Sequence, residues 1–229
     1  MPVIKAACGN ISYTTYPLYL GVKKIDKNIA RENLLLFKDI VSKQHITFGL
    51  IAGTLLGAIR EHDFIEHDED VDLFLFEEDK QHFFSILHLL TNVGFRIARY
   101  DRRGLLSIMR KGEYIDLYFF AIFERDIRIC SGWCVPERFL KETVLMSFLG
   151  SDFMIPKDFI SFLEYQYGKE WKKPVPYTDF KISVWKKKFF IMKEKIKDIL
   201  PDWIYFYLVR RNEKKLIKYY WQRIDHFLD

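Results

Sequence analysis

The sequence predicts an α/β (α+β) fold: a mixed sheet flanked by helices, with a helical region at the C-terminal end. Three observations lead to it. Strand-like runs alternate with runs of helical period through residues 26–130. The joints "DRRG" and "KG" are short enough to link three of those runs as antiparallel hairpins. Beyond Pro136 the pattern turns helical and ends in a basic, aromatic-rich stretch. At 229 residues and 49% hydrophobic, the chain can bury a substantial core.

Residues 1–24 are expected to be irregular, with "GN" and "YP" as turn signals. Residues 26–43 form a helix, because Ile29, Leu36, Phe37, Ile40 and Val41 fall on one face. "HITFGLIAG" (45–53) is a short strand ending in glycine, and 54–60 is a helix that starts at Gly53-Thr54. "DVDLFLF" (70–76) is a strand, and 78–92 a helix closed by Gly94. "FRIARY" (95–100), "LLSIMRK" (105–111) and "EYIDLYFF" (113–120) are strands, with "DIRIC" (126–130) as a further candidate. A helix over 156–167 stops at Gly168, "KKPVPYTD" (172–179) reads as a linker, and Pro201 separates two C-terminal helices. The expected domains are 1–180, a sheet domain with a helical cap, and 181–229, a basic aromatic tail.

Composition excludes several classes. Cys8, Cys130 and Cys134 form neither an even disulfide framework nor a C-x-x-C pair, which disfavours zinc and points to a reducing compartment. No secretory signal is expected, and no apolar run of about 18 residues or more is present to span a membrane. The net charge of +5 is unevenly placed: residues 181–229 carry 13 Lys or Arg against 6 Asp or Glu, whereas the first 180 residues are close to neutral.

The chemistry concentrates where carboxylates crowd the mouth of a strand, at Asp68, Glu69, Asp70 and Asp72. Either water solvates them in a turn or a cation holds them. In a strand, residues i and i+2 share a face, so Asp70 and Asp72 point away from Val71, Leu73 and Leu75. By the same alternation Asp116 lies among Tyr114 and Tyr118, opposite Ile115, Leu117 and Phe119. Burying Asp116 without compensation would be costly. If the two strands are neighbours, Asp70, Asp72 and Asp116 make an all-oxygen site suited to Mg²⁺ or Mn²⁺.

With Gly53-Thr54 upstream, this constellation resembles the nucleotidyltransferase superfamily. More narrowly, "GTLLGAIREHDFIEHDEDVDL" is similar to the LicD/fukutin phosphotransferases, through Gly53, Leu55, Leu56, Gly57, Ala58 and Arg60, then Phe64-Ile65, then Asp68, Asp70 and Asp72. "YIDLYFF" sits where that family has its third-Asp strand, and Pro156, Leu163, Tyr167, Gly168, Trp171 and Pro174 are similar to its later segment. Asp63 stands where the family usually has Gly, Glu66-His67 where it has Pro-Trp, and Glu69 where a middle Asp is common. These departures touch the loop beside the pocket and no expected metal ligand.

The resemblance implies a nucleotidyltransferase-like fold and transfer of a phospho-substituent, such as phosphocholine or a polyol phosphate, from a CDP-linked donor. The acceptor is a sugar hydroxyl of a cell-surface glycan, as in lipopolysaccharide or capsule biosynthesis, and CMP is released. Asp70, Asp72 and Asp116 would be the metal-holding and catalytic residues, with Asp116 as a candidate base and Asp68 as an accessory carboxylate. Gly53 and Thr54 would offer helix N-terminal N–H groups to donor phosphate. Arg60 is a candidate second clamp or a solvated helix residue. Alternatives are a nucleotidyltransferase releasing pyrophosphate and a non-catalytic nucleotide- or glycan-binding protein. The expected location is cytoplasmic. The tail, 181–229, reads as an interfacial segment on an anionic membrane face or as ordinary packing helices, with nucleic acid ranked below both.

Overall fold

The computed structural model describes residues 2–16, 24–124 and 126–174, together with 185, 188, 192, 196, 200–211, 224 and 227 of the C-terminal region. Helix α1 (Lys27–Ser42) starts where Asp26 accepts hydrogen bonds from the N–H groups of Asn28 and Ile29, both at 3.1 Å. Its buried stripe is Ala30, Leu34, Phe37 and Val41, a slight rotation from the expected face that leaves Ile29, Leu36 and Ile40 half-buried. Strand β3 (Phe48–Leu50) leads into α2 (Ala52–Arg60), and β4 (Val71–Phe76) into a single 3₁₀ turn and α3 (Lys80–Asn92). Strands β5 (Arg96–Asp101), β6 (Leu105–Arg110) and β7 (Glu113–Glu124) form the expected meander. Strand β8 (Ile127–Cys130) returns against the far end of β7.

Two regions depart from the sequence expectation. The N-terminal residues form a hairpin, β1 (Val3–Ala6) with β2 (Gly9–Ser12), whose four-residue strands are too short to show a clear alternation. Beyond Cys130 the chain is not a helical cap. It makes β9 (Trp133–Pro136), the short helix α4 (Glu137–Lys141), and then a hairpin of β10 (Thr143–Phe148) and β11 (Ser151–Pro156). Leu149 and Gly150 at its tip both have positive φ (53° and 80°), the backbone of a two-residue type I′ turn. The apolar run "TVLMSFLGSDFMIP" fits either period by composition, and it is this turn that makes it a hairpin. Helix α5 (Phe159–Tyr167) follows, with Asp158 as its N-cap and Gly168 at its end, where φ is +82°.

Nine strands among the described residues join in one sheet, with the path β10-β11-β3-β4-β7-β6-β5 and β8-β9 attached to β7. Two pairs, β11–β3 and β4–β7, are parallel. The parallel contact of β4 with β7 runs in register from Val71↔Ile115 to Phe76↔Phe120. Strand β7 is central and covered on both faces, with Ile115, Leu117, Phe119 and Phe120 all fully buried. Helices α1 and α3 cover the apolar face, where Phe37, Phe83, Phe84 and Phe119 meet through tilted or edge-on ring contacts. The carboxylate-bearing face of β4 and β7 is left for the site.

Most of residues 181–229 lie outside the described residues, so the expected pair of tail helices is described only in part. Residues 202–211 are helical. That segment is tied to the β5–β6 turn: Tyr205 donates its hydroxyl to Asp101 at 2.7 Å, and Arg102 donates to Asp202 and to the Leu200 carbonyl, both at 2.8 Å. No described helix is long and apolar enough to cross a membrane.

Candidate active site

The register of β4 and β7 places Asp72 directly beside Asp116. Asp70 occupies the bend just before β4 rather than the strand itself, yet it reaches the same place. Oxygen atoms of Asp70, Asp72 and Asp116 lie within 4.8 Å of one another. Asp72 and Asp116 are only 6% and 3% exposed, and Asp70 is half-buried.

Local structure around Asp72 explains the glycine and threonine upstream. The Asp72 N–H donates to Thr54 Oγ1 at 2.8 Å, and the Gly53 N–H donates to Asp72 Oδ2 at 3.1 Å. Tyr118 donates its hydroxyl to the other carboxylate oxygen at 3.2 Å. The turn into α2 passes through Ala52 at φ 49°, an uncommon backbone for a residue with a Cβ, immediately before Gly53. Gly53 has no room for a side chain, because an added Cβ would collide with Asp68 Oδ2. The Gly53 N–H expected to meet donor phosphate and the Thr54 hydroxyl are thus engaged in aiming Asp72.

Asp116 is held from β5 and β6, by residues that sequence reasoning missed. Ser107, opposite Asp116 in the β6–β7 register, donates its hydroxyl to Oδ1, and Arg99 donates to Oδ2 at 2.7 Å and to Ser107 Oγ at 3.1 Å. Strict alternation along β5 would place Arg99 on the apolar face with Ile97, which pairs with Ile108. A β-bulge between Ile97 and Arg99 brings Arg99 opposite Ser107 instead, on the carboxylate face. Nothing in "FRIARY" announces that extra residue. Tyr118 could have been found, since alternation already put it beside Asp116.

Burial is the largest influence raising the pKa of each of the three carboxyls, followed by repulsion from Asp72 for Asp70 and from Asp68 for Asp72. For Asp116 the neighbouring Arg99 pulls in the opposite direction but does not cancel burial. Asp68, the accessory candidate, is pushed up to about 6 by burial, and its Oδ2 is buried without a hydrogen-bond partner. Tyr167 of α5 is also drawn into this field: burial and the charges of Asp72 and Asp68 raise its hydroxyl pKa.

Arg60 is not brought to the triad's ligand atoms. It ends α2, roughly 10 Å from Gly53 by helical rise, donating to Glu61 at 2.7 Å and to the Trp171 carbonyl at 3.3 Å. There it lines a hollow of about 390 Å³ with Trp171 and Lys172.

The triad can hold a metal ion. Its donors are all oxygen, they converge from two adjacent strands and the bend before β4, and a divalent cation would relieve the repulsion among carboxylates that burial deprives of water. Fold and site together define a mixed-sheet domain with an all-oxygen seat for a hard cation. Residues 45–158, from the approach to β3 through β11, match the family described as LicD/FKTN/FKRP, nucleotidyltransferase domain, and the chain belongs to that family.

Ribitol-5-phosphate transferase FKTN of Homo sapiens is 27% identical over 167 residues, covering 67% of this chain and 35% of FKTN. An uncharacterized protein of Rickettsia typhi is 37% identical over 82 residues, 36% of this chain and 25% of that protein. The chain therefore spans only a quarter to about a third of the length of these curated relatives. Among solved structures, the antibiotic-resistance factor ANT(2'')-Ia superposes with a TM-score of 0.46 at 11% identity, over 87% of this chain and 99% of that one.

Proposed function

We propose that this chain is a metal-dependent phosphotransferase that moves a phospho-substituent from a CDP-linked donor to a sugar hydroxyl of a glycan, releasing CMP. The observation that carries this reading is the convergence of Asp70, Asp72 and Asp116 within 4.8 Å, inside a segment that belongs to the LicD/FKTN/FKRP family. The name of the FKTN relative, a ribitol-5-phosphate transferase, favours a polyol phosphate as the transferred group over phosphocholine.

In this reading Asp70, Asp72 and Asp116 hold Mg²⁺ or Mn²⁺. The bound ion supplies charge neutralisation at the donor diphosphate and acidifies the attacking hydroxyl. Gly53, Thr54 and Tyr118 hold Asp72 at a fixed angle, so that catalysis rests on positioning and preorganised charge. Asp116 was the expected base, but Ser107 and Arg99 occupy its two oxygens, so it acts as a held ligand. In this reading the hydroxyl proton goes to the half-buried Asp70, which lies in the bend before β4 rather than in the sheet. The test is a panel of CDP-linked donors with Mg²⁺, followed by CMP release and acceptor mass shift. Equal CMP release from wild type and Asp72→Asn would sink the assignment, and pyrophosphate release from nucleoside triphosphates would turn it into nucleotidyl transfer.

We also propose that the chain is cytoplasmic and peripheral on an anionic membrane face. Trp203 and Tyr207 in the helical segment 202–211 are 75% and 66% exposed, and the region carries a basic surplus. Cosedimentation with anionic liposomes, comparing wild type with Trp203→Ala/Tyr207→Ala, tests it; equal partitioning of the two would end the idea.

A further inference from the structure

The carboxylate site has a cation of its own. Three ionised carboxylates bring three negative charges into a space where two of them are almost wholly buried. One divalent ion leaves one negative charge over. Arg99 stands against that residue of charge: its guanidinium is 2.7 Å from Asp116 Oδ2 and braced by Ser107 at 3.1 Å, while its side chain is 36% exposed.

The backbone is shaped for this contact. Without the bulge between Ile97 and Arg99, the arginine would point into the apolar face that Ile97 and Ile108 share, where no acid faces it. Bulges re-aim a side chain at the cost of a ladder hydrogen bond. Here the residue re-aimed is the one that reaches the third carboxylate.

We propose that Arg99 is the site's second cation, a positioning residue that neutralises Asp116 so that the triad takes one divalent ion per chain instead of two. The proposal rests on the metal-dependent reading above. A guanidinium cannot leave its charge at any working pH, so the balance is permanent. Because it stands beside the ion's seat, it also repels that ion, and this separates its role from simple structural support.

The experiment is titration of the full chain with Mn²⁺ at pH 8, followed by calorimetry and by the loss of free-Mn²⁺ paramagnetic signal, with no donor present. Wild type is expected to bind one ion. Arg99→Gln, which retains hydrogen-bonding capacity without charge, is expected to bind Mn²⁺ roughly tenfold more tightly or to accept a second ion. Arg99→Lys, which keeps the charge, is expected to stay close to wild type in affinity and stoichiometry. Thermal melting of each variant checks that it folds, and Ser107→Ala, which leaves the charge in place, serves as the control for lost bracing. Weaker binding by both Arg99 variants, matching Ser107→Ala, would make Arg99 merely structural and overturn the proposal. Two ions in wild type would overturn it while leaving the metal-dependent reading intact. No ion in wild type would overturn both.

Discussion

Asp72 and Asp116 sit side by side on adjacent parallel strands, each tied by hydrogen bonds to a different part of the chain. Asp72 is held by the start of α2 and by Tyr118, and Asp116 by Arg99 and Ser107 from the β5–β6 hairpin. The sheet brings the two acids together, and separate partners on either side keep them aimed at one point. Each set of partners makes a separate prediction.

Asp72→Asn should separate activity from stability. Loss of a ligand that acts in the transition state should lower turnover by about 10³-fold or more. Without metal, the same variant should be more stable than wild type by roughly 1–2 kcal/mol at neutral pH. The sign follows from the raised folded-state pKa: such a carboxyl weakens the fold as pH rises above its ordinary value, so the gain should vanish below about pH 4. Chemical denaturation in a chelator at pH 4 and pH 7.5, beside CMP release, measures both effects.

Thr54→Val replaces a buried hydroxyl with a methyl group of similar size and strips the Asp72 N–H of its acceptor. An unsatisfied buried donor should cost about 1–3 kcal/mol. Urea unfolding should show this loss, and donor turnover should fall with it because Asp72 loses its backbone anchor.

Gly53→Ala should destabilise the chain by about 1–3 kcal/mol, since the new Cβ would press on Asp68 Oδ2. Pairing it with Asp68→Ala should recover much of that loss, a coupling that a double-mutant cycle in urea would read. Independent, additive costs would show that the collision is not the cause.

Docking of the helical segment 202–211 should weaken in acid. Burial raises the Asp101 pKa, but the Arg103 guanidinium and the Tyr205 hydroxyl outweigh it and bring the carboxyl down to about 2. A depressed pKa contributes stability that is complete above the ordinary carboxyl range and disappears as pH falls through about 4 toward 2, an effect of roughly 2 kcal/mol. Tyr205→Phe should reduce that acid-dependent part, measured as the pH dependence of Trp203 fluorescence or of proteolysis near residue 200.

Much of this was legible in the residues. The Asp-hydrophobic-Asp pattern at 70–72 and the lone acid at 116 named the three acids that converge; the two-residue period fixes the face of Asp72 and Asp116, while Asp70 reaches the same point from the bend before β4. Arg99 was illegible, because a bulge breaks that period without a marker in the sequence. The β10–β11 hairpin was hidden by a similar ambiguity, since its apolar composition suits helix or strand until the turn at Leu149-Gly150 is known. The motif placed Gly53 and Thr54 beside the acids but not their contact with Asp72, 18 to 19 residues along the chain, which only the fold reveals.

By itself, then, the sequence determined the class of element at most positions, the face on which each acid lies, and the family to which the segment 45–158 belongs. Those are properties of local period and residue type. Only the tertiary structure decided that β4 and β7 are neighbours in register and that a bulge turns Arg99 toward Asp116. It also decided that the tail segment leans on Asp101. Contacts between distant residues depend on register and strand order, which the packing of the whole sheet selects and no short stretch of residues specifies.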